Sequence, residues 1–155
     1  MRRALIIAVG LLFALSGTAA AAVTTNESVP INQTVFVPCA NGGAGESVTL
    51  EGSLHVLMTY TVNDNHVSGR THFQPQGVMG TGQITGDVYH ATGATQDTFS
   101  DSLENGQYAY TYVNNFRIIG QGMDNNLLIH EVVHVTFNAA GVETVWIDHF
   151  SSECQ

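Results

Sequence analysis

The residues most suggestive of chemistry are His130-Glu131-Val132-Val133-His134, which match the pattern H-E-x-x-H. On a helix, this pattern places two imidazoles on one zinc ion and a glutamate beside it as the general base of a metalloprotease. The flanking residues are β-branched and alternate in polarity, which favours a strand over a helix. On a strand the two imidazoles lie ~13 Å apart, too far to share one zinc ion. We therefore predict neither a zinc site nor protease activity here.

A second candidate arises from single charges on otherwise apolar strand faces. Glu131 is the one charged residue among the odd positions of 127–137. Asp148 is likewise the one charged residue among the even positions of 142–150, which include Trp146. A tight turn that pairs Asn138 with Gly141 would put Glu131 directly opposite Asp148. Two carboxylates ~5 Å apart cannot both ionise cheaply in an interior, so this arrangement requires a shared proton, an ion or a cation.

Arg117 is the candidate cation. Pairing across the loop 120–126 would align residues 115 and 117 with 131 and 129, which brings this guanidinium to the same face. We therefore predict a ligand-binding or ion-network cluster of Arg117, Glu131, Trp146 and Asp148. A slip of one residue in register would instead turn these groups to solvent as ordinary surface charges. No catalytic residue, metal ligand or cofactor is predicted.

The charge balance excludes several classes of partner. The chain has 155 residues with 13 acidic and 4 basic side chains, a net charge of −9, and it contains no lysine. Such a chain cannot neutralise a run of phosphates, which argues against nucleic-acid binding. Attraction to anionic lipid and Schiff-base chemistry are excluded for the same lack of basic residues.

The N-terminus predicts export. Residues 1–22 have a positive start at Arg2 and Arg3, an apolar stretch and a small-residue cleavage zone, the three parts of a signal peptide. The apolar stretch is shorter than the ~20 residues of a membrane span, and none of that length follows. We therefore expect a secreted or periplasmic protein without a membrane span in the mature chain.

Two cysteines, Cys39 and Cys154, lie near the two ends of the mature chain. In an oxidising compartment an even pair is read as a disulfide, so we predict one bond that ties the first strand to the last. Two free thiols or a redox pair are the alternative, although no C-x-x-C spacing supports one.

The architecture follows from a period of two residues that persists through the chain. Residues 48–62 alternate over a long strand in which Gly52 marks a bend, and further alternating stretches follow. With no capped helical period, the sequence predicts an all-β domain over residues 30–155, preceded by a loose leader at 23–29. We expect a single antiparallel β-barrel of about eight strands, with a two-sheet β-sandwich as the alternative.

Three stretches and the closing Cys154 resemble a group of small exported bacterial proteins of unassigned function: VPCANGG at 37–43, THFQPQG at 71–77 and NNFRIIGQG at 114–122. The resemblance covers most of residues 35–155 and implies no activity.

Three functions are compatible with such a domain. The first is binding of a small apolar or amphipathic molecule, because barrels often enclose one ligand and aromatic residues are available to line the site. The second is a barrel-type isomerase, cyclase or hydrolase that uses interior carboxylates. The third is a structural, envelope-associated domain with a filled core. We expect the first.

Overall fold

The computed structural model describes residues 22–122 and 125–155, which include seven strands. The strands are β1 (Ala22–Val37), β2 (Glu46–Asn63), β3 (His66–Gly82), β4 (Val88–Ser102), β5 (Gln107–Gly120), β6 (Leu127–Phe137) and β7 (Glu143–Cys154). A short 3-10 helix at Asn41–Gly43 follows β1. Of the predicted signal peptide, all but Ala22 lies outside the described residues.

The seven strands form one sheet in chain order, each antiparallel to the next. This confirms the prediction of an all-β, antiparallel domain. The sheet is not closed, because β1 pairs only with β2 and β7 only with β6. A closed barrel of about eight strands is therefore not what the structure shows, and a two-sheet sandwich is not either. Alternation predicts strands and their faces, but it does not predict whether the two edge strands meet.

The disulfide brings the two edges of the sheet together at one end. Cys39 follows β1 and Cys154 ends β7, and their Cα atoms lie 5.5 Å apart. In a flat sheet, edges separated by six strand spacings of ~4.8 Å would lie almost 30 Å apart. The sheet is consequently rolled at this end, which we call the disulfide end. The predicted Cys39–Cys154 bond is confirmed.

The segment 23–29, expected to be a loose leader, lies within β1 and pairs with residues 54–60 of β2. Its polar composition reflects its place at a sheet edge rather than a lack of structure, because β1 is exposed from Ala22 to Pro30. Backbone hydrogen bonds to one neighbour hold the segment, and these do not depend on an apolar side-chain pattern.

The hydrophobic core fills the rolled disulfide end. It consists of Val37, Cys39, Ala40, Val48, Leu50, Val78, Tyr89, Ala91, Ile118 and Leu127. These strand residues project from one side of the sheet, which we call the core face; the opposite side is the outer face. The predicted bend at Gly52 coincides with a register shift between Glu51 and Ser53, where a Cβ atom would lie 2.7 Å from the Cα of Val78. The core face therefore lacks room for a side chain at this position.

A buried carboxylate ties the turn after β3 to the core. Glu46 is 1% exposed, and it accepts hydrogen bonds from the backbone N–H groups of Ile84 and Thr85, the Thr85 hydroxyl and the Tyr89 hydroxyl. Burial alone would raise the pKa of Glu46, but the bonds from Thr85, Ile84 and Tyr89 outweigh it and lower the pKa to about 2. Burial and the neighbouring carboxylate raise the pKa of Tyr89 to about 12. With all four donors satisfied, Glu46 has a structural role.

Candidate functional site

Beyond the core, the core face carries aromatic rings and carboxylates together. The register of the six strand pairs places them on this one side. We call this surface the aromatic-acidic face; it comprises Phe73, Asp97, Phe99, Asp101, Tyr108, Tyr110, Tyr112, Glu131, Phe137, Trp146, Asp148 and Phe150. It occupies the half of the sheet away from the disulfide end.

Its centre is the pairing of β4 with β5. Asp97 lies opposite Tyr112, Phe99 opposite Tyr110, and Asp101 opposite Tyr108. Directly paired residues on one face are ~4.5–5.5 Å apart at Cβ, which places each tyrosine beside its partner on β4. Burial raises the pKa of all three tyrosines, and the carboxylate of Asp97 raises each of them further. The phenols therefore stay neutral and available as hydrogen-bond donors.

The strands β6 and β7 continue this face to one edge of the sheet. Glu131 lies opposite Phe150, Val133 opposite Asp148, and Val135 opposite Trp146. The rings of Trp146 and Phe150 are 57% and 64% exposed. Exposed aromatic side chains at an edge provide contact area for a molecule that lies on the face.

The predicted pairing of Glu131 with Asp148 is wrong by two residues. Asn138 closes a wider turn by a hydrogen bond from its N–H to the carbonyl oxygen of Val142, and the ladder shifts between Thr136 and Phe137. A two-residue slip keeps both carboxylates on one face but moves them from directly opposite to diagonal positions. Diagonal neighbours are ~7–8 Å apart, so the two charges repel each other less than predicted.

The predicted role of Arg117 as the compensating cation is also not supported by its position. Arg117 pairs with Thr92 and Leu128, one residue out of the expected register, so it projects from the outer face and is exposed. The structure thus brings Glu131, Trp146 and Asp148 to one face and places Arg117 on the other.

The basic side chains share the outer face. The strand register puts the seven histidines there together with Arg70 and Arg117: His55, His66, His72, His90, His130, His134 and His149. Across the described strands the core face therefore carries carboxylates without a basic side chain. The outer face, by contrast, holds both arginines together with carboxylates such as Glu51 and Glu153.

The H-E-x-x-H residues lie in β6, which confirms the prediction of a strand. His130 bonds to the side-chain oxygen of Asn115 at 2.7 Å, and His134 to the hydroxyl of Thr111 at 2.8 Å. Glu131 projects from the opposite face of the sheet, so it cannot act beside these imidazoles. Among residues 22–122 and 125–155, no group of three or more His, Cys, Asp or Glu residues is arranged to hold a metal ion.

Sequence reasoning missed the carboxylates at the centre of the aromatic-acidic face. Asp97 and Asp101 belong to a polar stretch, 93–106, that lacks a clear apolar alternation and reads as a loop interrupted by short extended pieces. The available signal was the run Tyr108, Tyr110 and Tyr112, whose spacing predicts three rings on one side of a strand.

The part of the chain that the structure describes contains no helix long and apolar enough to cross a membrane. The chain matches no protein-family model, no curated protein and no solved structure, so its candidate site rests on its own residues.

Proposed function

We propose that the aromatic-acidic face binds an amphipathic small molecule that carries a positive charge. The observation that carries this proposal is the composition of one face: aromatic rings and carboxylates share it, and the described arginines and histidines all lie on the other face. The net charge of −9 favours the approach of a cationic ligand.

The centre of the face suits a cationic head group. Tyr108, Tyr110 and Tyr112 present ring surfaces, and a cation over such a ring gains about 0.5–2 kcal/mol, depending on desolvation. Asp97 and Asp101 lie opposite two of these rings and provide the opposite charge. A quaternary ammonium group suits this environment because it has no hydrogen-bond donors of its own, and its attraction to rings and carboxylates is purely electrostatic.

The apolar part of the ligand would lie towards the β7 edge. Val133 and Val135 are on the same face as the tyrosines, and Trp146 and Phe150 follow on β7. Each methylene group removed from water there contributes about 0.8 kcal/mol. A chain of moderate length would therefore supply most of the affinity, and the carboxylates would select the head group.

The test compares two surfactants with the same alkyl chain, a trimethylammonium and a sulfate, below their micelle-forming concentrations. We expect the cationic one to bind more tightly, as measured by calorimetry and by the fluorescence of Trp146. Asp97→Asn should weaken this binding about three- to tenfold, as expected for loss of one partly screened charge. Glu51→Gln, which removes a carboxylate from the outer face, is the matched control. Equal binding of both surfactants, or equal effects of both substitutions, would contradict the proposal.

We also infer that the protein acts outside the cytoplasm after cleavage of a signal peptide at residues 1–22. The Cys39–Cys154 disulfide supports this because such bonds persist in oxidising compartments. N-terminal sequencing of the secreted or periplasmic protein tests it: a first residue near position 23 is expected, and an intact Met1 would overturn it.

A further inference from the structure

The outer face contains a small recess that the proposed function does not use. It is bounded by side chains from three neighbouring strands and has a volume of about 130 Å³. The lining residues are Leu57, Thr59, Arg70, His72 and Gln96. Four of these five side chains can donate a hydrogen bond, and Arg70 alone supplies five N–H groups in a planar fork.

The strand register explains why these groups converge. Arg70 of β3 lies between Thr59 of β2 and Thr98 of β4, and His72 lies between Leu57 and Gln96. The two rows are adjacent on the same face because residues 70 and 72 are two positions apart. The recess is therefore built on regular strands, which hold side chains more precisely than loops do.

The surroundings of Arg70 lack a carboxylate on its own face. The outer-face positions next to the two rows are occupied by neutral or imidazole side chains: His55, Thr61, Ser68, Gln74, Ala94 and Ser100. The nearest carboxylate along β4, Asp97, projects from the core face on the other side of the sheet. In a chain with 13 acidic residues, this guanidinium thus faces a recess rich in donors and free of acceptor charge.

We propose that this recess binds a small oxyanion of the sulfate or phosphate type. The guanidinium of Arg70 would make a bidentate contact, the geometry that arginine favours with such anions. The amide of Gln96 and the hydroxyl of Thr59 would donate to the remaining oxygens. Because the whole protein carries a net charge of −9, we expect affinity in the millimolar range rather than the micromolar range.

The experiment is a titration of the isotope-labelled protein with sodium sulfate, followed by NMR, with sodium chloride adjusted to hold the ionic strength constant. We expect saturable shifts of the signals of Thr59, His72 and Gln96. Sodium phosphate and sodium acetate form two further arms. Phosphate should reproduce the effect, whereas similar binding of acetate would reassign the site to carboxylates and overturn the oxyanion proposal.

Arg70→Gln should weaken sulfate binding about tenfold or more, because it removes the charged half of the contact. Arg117→Gln is the matched control, since it removes an exposed arginine from the same face without affecting the recess; here we expect less than a twofold change, as for a distant surface charge. If Arg70→Gln does not fold, Gln96→Leu is the second variant and should also weaken binding. Unsaturable shifts, or equal losses in the Arg70 and Arg117 variants, would overturn the proposal.

Discussion

Replacing Glu46 by glutamine should destabilise the protein at neutral pH and have a much smaller effect in acid. The pKa of Glu46 is lowered from 4.5 to about 2, and each pKa unit corresponds to about 1.4 kcal/mol. Because the carboxylate lies beside the exposed turn 83–86, where water screens part of the interaction, we expect about 2–3 kcal/mol. In the glutamine variant the side-chain NH₂ group, itself a donor, would also face at least one of the groups that now donate a hydrogen bond to the carboxylate.

The sign of the pH dependence follows from the lowered pKa. The stabilisation by Glu46 is fully present above pH 4.5 and is lost as the pH falls from 4.5 towards 2. Urea unfolding at pH 7, 4.5, 3 and 2.5 should therefore show the difference between Glu46→Gln and the natural protein shrinking towards low pH. Glu104→Gln, in the exposed turn before β5, is the control and should be close to neutral throughout. A destabilisation that is the same at every pH, or no larger than that of Glu104→Gln, would refute the reasoning.

Three further predictions concern the disulfide, the core and the histidine motif. Replacing both Cys39 and Cys154 by serine should lower the free energy of unfolding by about 4–5 kcal/mol, because the bond closes a very long loop; an unchanged urea midpoint would contradict this. Gly80→Ala should cost about 1–3 kcal/mol, since the added Cβ would lie 2.7 Å from a side-chain carbon of the core; a melting temperature equal to that of the natural protein would count against the packing. Elemental analysis of the purified protein should find no stoichiometric zinc, and zinc at one ion per chain that disappears in His130→Ala or His134→Ala would prove the strand argument wrong.

The sequence predicted the faces of β6 and β7 but not their register, and the reason is physical. Alternation has a period of two, so any even slip leaves every side chain on its predicted face. Glu131 and Asp148 accordingly share a face, as expected, although the wider turn after Asn138 moves them to diagonal positions.

An odd slip has the opposite consequence, and Arg117 shows it. The connection between β5 and β6 allows either parity, and the observed pairing of Arg117 with Leu128 turns the arginine side chain to the outer face. The geometry of a turn decides whether a register is shifted by an odd or an even number of residues. Here neither the residues of the connection nor the hydrophobic pattern was sufficient to predict that shift from the sequence.

Alternation also fails to predict that a strand is present where a segment is polar on both faces. The stretch 93–102 lies in β4 because β3 and β5 pair with it from either side, a tertiary effect that local composition does not contain. The two central carboxylates of the aromatic-acidic face, Asp97 and Asp101, became evident only through that pairing.

The position of the disulfide also determines how the molecule would carry mechanical load. A pull between Val23, the residue after the proposed signal peptide, and the C-terminus passes along β1, crosses the bond from Cys39 to Cys154 and leaves the chain at Gln155. The residues between the two cysteines, which are separated by 115 positions in the sequence, lie outside this covalent path and bear no tension. Since β1 is already extended, stretching the oxidised protein lengthens it little, whereas reduction would release roughly 400 Å of chain. The bond thus confines the mechanical load to β1, one of the two edge strands.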